Sequence, residues 1–131
     1  MKFPEGIGDT VHLFKYQNIN DPDLFIDVLF YFRGRSWRTK SYTVQLQPKK
    51  MELYRGTGRS YPTTYLDGKY MGAVTKVIEL SDKFSKKRAK ALCIAIDFGM
   101  FDHILNEALD EMFERFDFLV RDEFEKRHFE E

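Results

Sequence analysis

Leu24-Phe25-Ile26-Asp27-Val28-Leu29-Phe30-Tyr31-Phe32 is the stretch on which the fold turns. Its flanks argue for a helix: Asp21 can cap, Pro22 suits a first helical position, and Gly34 follows the end. Its composition argues for a strand, since Ile26, Val28 and four aromatics favour extended backbone. The neighbouring segment decides. Tyr42, Val44 and Leu46 alternate with Ser41, Thr43, Gln45 and Gln47, a period of two. A hairpin across Arg33-Gly34-Arg35-Ser36 joins the two runs economically. The reading is therefore strand. Leu24, Ile26, Val28, Phe30 and Phe32 then share one face. Phe25, Asp27, Leu29, Tyr31 and Arg33 share the other, and a strand so apolar on both faces belongs in the middle of a sheet.

Working outward, Asp9 to Tyr16 reads as a strand, with Val11 and Leu13 on one face and His12, Phe14 and Tyr16 on the other. Its Gly8-Asp9-Thr10-Val11 start is of a kind found where small barrels begin, so a barrel-like curl is one form the sheet can take. Pro48 is expected to end the second long strand. Met51 to Tyr54 is a short strand, and Arg55 to Tyr70 a long loop or irregular hairpin with Gly56, Gly58, Pro62 and Gly68. Met71 to Leu80 returns to strand. Ser81 or Asp82 caps a helix, Gly99 breaks or bends it, and Phe101, Leu105, Leu109, Met112, Phe116 and Leu119 continue the helical spacing. Strands first and helices last predict an α+β domain: an antiparallel sheet of about five strands covered by one or two C-terminal helices. The 131 residues form one domain, mainly strands over 1–80 and mainly helical over 81–131.

Charge is divided sharply along a chain whose formal net charge is zero. Arg33 to Lys90 holds fifteen Lys/Arg against four Asp/Glu, while Ala91 to Glu131 holds four against twelve. Such a split points either to an anionic partner for the middle or to an internal match between the halves. Within the middle, Arg33, Arg35, Arg38 and Lys40 stand at the proposed hairpin, and Arg55 and Arg59 at the next turn. Trp37, Tyr54 and Tyr61 lie among them. Cations neutralise phosphates and aromatic rings offer faces to unpaired bases, so the mixture fits a single strand, RNA in particular, better than a duplex groove. The opposing account is a solvated sheet face whose charges prevent edge pairing. The leading expectation is a non-enzymatic module that binds nucleic acid or another polyanion through this surface.

The rival expectation is a regulator or inhibitor that binds a protein through the acidic, Phe-rich C-terminal helix, its carboxylates imitating a phosphate backbone. Asp110, Phe113, Glu114 and Phe118 are its contacts. The same surplus aromatic surface would also serve a homodimer.

An enzyme ranks third. His12, His103 and His128 show no ligand spacing, and His103 with Glu107 supplies only two groups, too few for a metal site. Cys93 sits in an apolar run and reads as a small buried hydrophobe. Asp97-Phe98-Gly99 matches a kinase triplet without the rest of that machinery. No catalytic residue, metal or cofactor is assigned. One cysteine forms no internal disulfide, and no apolar run reaches a membrane span, so the expectation is a cytoplasmic protein without a membrane partner.

Overall fold

A computed structural model describes residues 2–33 and 40–130. The strands are β1 (Thr10–Asn18), β2 (Leu24–Arg33), β3 (Ser41–Leu53), β4 (Ser60–Thr63), β5 (Tyr65–Leu66), β6 (Lys69–Tyr70), β7 (Val74–Leu80) and β8 (Phe124–Arg127). The helices are α1 (Lys86–Asp97) and α2 (Asp102–Arg115), followed by a 3-10 turn at Arg121–Glu123. Six strands form one antiparallel sheet in the order β4-β3-β2-β1-β8, and β7 pairs with the same edge of β3 as β4 does. The architecture is α+β, as the order of elements predicts, and the sheet does not close into a barrel.

β2 is the central strand, and its ten residues pair with β3 without interruption from Leu24↔Lys50 to Arg33↔Ser41. Ile26, Val28, Phe30 and Phe32 meet Tyr42, Val44 and Leu46 on one face. There they join Ala89, Leu92, Cys93 and Ile96 of α1 and Leu105, Ala108, Leu109 and Met112 of α2 in the core. Each large side chain removed from water contributes about 1.5–3 kcal/mol. Tyr42 is buried with its ring 4.9 Å from that of Phe32, and its hydroxyl accepts from the Ser85 amide at 3.0 Å.

Several details differ from the sequence reading, each for a physical reason. In β1 the register shifts between His12 and Phe14. The extra residue resets the alternation, so Phe14 and Tyr16 lie opposite Val28 and Ile26 on the helix face. His12 and Lys15 lie opposite Leu29 and Asp27 on the other. Pro48 does not end β3. One edge of β3 pairs with β7 as far as Leu46 and with β4 from Lys50, so Pro48 sits where that edge has no strand partner and needs no amide. The Gln47 side chain fills the gap, donating to Gly72 O at 2.5 Å and Pro48 O at 3.1 Å. Finally, the helix cap is Ser85, whose hydroxyl accepts from the Arg88 amide at 3.2 Å, whereas Ser81 Oγ donates to Lys83 O.

The glycine-rich segment after β3 is ordered as β4 and a small β5–β6 hairpin. Asp67 (φ 49) and Gly68 (φ 78) form its two-residue turn, both left-handed as a primed turn requires. Gly99 separates α1 from α2 at φ 89. The helical spacing of Phe116 and Leu119 does not extend α2, which ends at Arg115. The chain returns as β8 along β1, with Lys126 opposite Tyr16.

Candidate nucleic-acid and protein interfaces

β3 decides where the basic residues go. A strand rises about 3.3 Å per residue, which puts its two ends on the order of 40 Å apart. Arg33 and Lys40 lie at one end, opposite the start of β3, and Tyr54, Arg55, Arg59 and Tyr61 lie at the other. The sequence reading joined these into one surface, and the length of the strand separates them. Arg35, Trp37 and Arg38 fall outside the described residues.

The far end is a compact tip. The Tyr54 amide donates to Arg59 O at 2.7 Å, closing the β3–β4 turn, and Gly56 and Gly58 take positive φ within it. The Thr57 amide donates to Tyr54 O and the Arg59 amide to Thr57 Oγ1, each at 3.3 Å. These three amides are spent inside the turn, and the glycines at positive φ serve its geometry. The Tyr54 and Tyr61 rings stand edge to face at 4.9 Å, 59% and 37% exposed. The Tyr61 hydroxyl donates to Glu52 at 3.3 Å. Among the described residues no carboxylate lies within 4 Å of the Arg55 or Arg59 guanidinium.

Among the described residues the acidic C-terminal part does little to neutralise the basic middle. Lys49 pairs with Asp27, Lys50 with Asp21 and Arg88 with Glu79. Among the described residues only Lys76 reaches α2, at 2.9 Å from Glu111 and 3.3 Å from Glu107. Lys86, Lys87 and Lys90 lie exposed along α1. The acids of α2 and its surroundings are partly matched locally, Asp110 by Arg121 and Glu111 by Arg115.

The four residues expected on the acidic helix divide two and two. Phe113 packs against Phe124 of β8 at 5.6 Å and joins the rim of the core, and Asp110 is held by Arg121. Glu114 is exposed, and Phe118, just past the helix, is 47% exposed. Phe118 lines a groove of about 470 Å³ between the end of α2 and the β5–β6 hairpin, with Tyr70, Lys69 and Arg115.

The sequence reading missed a cluster on the sheet face away from the helices. Asp27 is 2% exposed, with His12 Nδ1 at 2.7 Å and Lys49 Nζ at 2.8 Å from its Oδ2. Its Oδ1 is buried without a hydrogen bond among the described residues. The signal was available: Asp27 is the only charge in Leu24 to Phe32, and a charge that deep in a strand needs partners. Of the other candidates, Cys93 is fully buried, and burial pushes its thiol up to about 12. His128 Nε2 lies 2.7 Å from Asp97 Oδ1. Among the described residues no three His, Cys, Asp or Glu side chains gather to hold a metal, and no helix is long and apolar enough to cross a membrane.

Set beside known proteins, the chain matches no family model, no curated protein and no solved structure.

Proposed function

We propose that this is a non-enzymatic, cytoplasmic binding protein that holds a polyanion at the tip of the β3–β4 turn, with single-stranded nucleic acid as the best-fitting ligand. One observation carries the reading: two exposed tyrosine rings in contact, flanked by two arginines with no carboxylate within 4 Å among the described residues. Arg55 and Arg59 present planar forks to phosphate oxygens, and Tyr54 and Tyr61 present ring faces and edges to unstacked bases. A duplex offers its bases no such access, so the ligand is a single strand or an exposed loop. Arg33 and Lys40 lie too far along β3 to share one short segment with the tip. A longer strand would have to reach them across the sheet. The test is fluorescence anisotropy with a labelled single-stranded RNA. The double variant Arg55→Glu/Arg59→Glu should weaken binding at least about tenfold, and Tyr54→Ala should cost about 1–3 kcal/mol of stacking. Equal affinity of both variants and the native chain would refute the site.

A second reading is favoured by the exposed Phe118 beside Tyr70. An aromatic side chain on a groove rim is a usual anchor for a protein partner. Removing the chain after Leu119 is an unsuitable test, because it deletes β8 and Phe124 from the fold. Phe118→Ala isolates the contact: it should abolish a pull-down partner while leaving RNA binding intact.

A further inference from the structure

The sheet has three outer rims among its described strands, and two of them are blunted. β8 is four residues long and carries Glu125, Lys126 and Arg127; β4 is four residues long and contains Pro62. Short length, charge and proline are the usual defences of an exposed edge. β7 lacks most of them. It has seven residues and no proline, and among the described residues its backbone pairs only with β3. Both of its charges are turned back onto the helices, Lys76 to Glu107 and Glu111 and Glu79 to Arg88. What remains toward solvent includes Val77, 50% exposed, and Leu80, 63% exposed. A bulge near Ile78 shifts the register with β3, leaving Val74–Val77 as the regular part.

We propose that the outer edge of β7 accepts an extended segment of a partner protein as an added antiparallel or parallel strand, and that this segment alternates basic with apolar side chains. The unpaired amides and carbonyls define the occupant as extended backbone. Side chains of an added strand alternate between the two faces of the sheet. Those on the helix side fall beside Glu107 and Glu111, the acids that Lys76 already reaches. Those on the other side fall beside Val77 and Leu80. A second copy of this chain fits poorly, because pairing β7 with its own image would bring two acidic α2 helices side by side. The proposal does not depend on the nucleic-acid reading.

The test uses the full chain and a fluorescein-labelled hexapeptide of alternating lysine and valine. Its controls are an alternating glutamate–valine peptide and the lysine–valine peptide N-methylated on alternate amides. The lysine–valine peptide should bind at least about tenfold more tightly than either control. Amide resonances of Val74–Val77 should shift on binding. Val77→Lys should abolish binding while RNA affinity at the tip is retained. Absence of binding by the lysine–valine peptide would overturn the proposal. So would equal binding of the N-methylated peptide, which would reduce the effect to charge, and so would a β7-mediated dimer in sedimentation, which would make a second copy the occupant.

Discussion

Lys49 Nζ lies 2.8 Å from Asp27 Oδ2, across the β2–β3 pair and on the face away from the helices. Asp27 stands directly opposite Gln47 in register, with Lys49 one diagonal step along β3. The Asp27 side chain is 2% exposed, whereas the Lys49 side chain keeps 18% of its surface in contact with water. The pair is therefore asymmetric, and so are its two disruptions.

Replacing Lys49 with Met leaves a buried carboxylate with His12 alone. That variant should lose about 3–5 kcal/mol of stability, the scale for stripping one partner from a buried pair. Asp27→Asn should cost less, because Lys49 can swing its charge to solvent. Urea unfolding midpoints of the two variants measure the difference, and an equal loss would contradict the asymmetry.

Acid should weaken the fold through the ion pairs on its surface. Hydrogen bonding from Arg88 holds the Glu79 carboxyl below its ordinary 4.5, hydrogen bonding from Lys76 does the same for Glu111, and Lys50 lowers Asp21 from 3.8. A carboxylate depressed in the folded state contributes stability above its unfolded value, and this is lost as pH falls through the folded value. Stability should therefore hold down to the mid-fours and decline below. Unfolding midpoints taken from about pH 6 to about pH 3 should show the fall, and Arg88→Met should flatten part of it. A curve unchanged by Arg88→Met would remove the Glu79 pair from the account.

Gly99 lies in the turn between α1 and α2. It sits at φ 89, and a Cβ there would approach Asp102 Oδ2 to 2.9 Å. Gly99→Ala should lower stability by about 1–2 kcal/mol, the cost of a left-handed conformation for a residue with a side chain. A thermal midpoint within error of the native one would contradict that.

Much of this fold was legible in the residues. The alternation in Leu24 to Phe32 and Ser41 to Gln47 sufficed for the central strand pair, and Gly99 for the break between helices. What escaped was non-local. The Cα pairing of Phe124 to Asn18 across more than a hundred residues makes β8, and nothing in its mostly charged sequence announces a strand. The spacing of Phe116 and Leu119 is shared by a helix and by a turn that merely dips into the core. Pro48 reads as a terminator until the vacant edge beside it is known. Composition alone placed two basic clusters on one surface, and the length of β3 holds them apart. The Tyr54–Tyr61 contact, by contrast, follows from a short antiparallel turn and was within reach of the sequence.

The most direct test of the central claim is the salt dependence of single-strand binding by the native chain and by Arg55→Glu/Arg59→Glu. Each phosphate neutralised on a single strand contributes about −0.7 to the slope of log affinity against log salt. The native chain should give a slope steeper than about −1.4 for two such contacts, and the variant a slope shallower by about that amount. A native slope near zero, or one that the double reversal leaves unchanged, would contradict it.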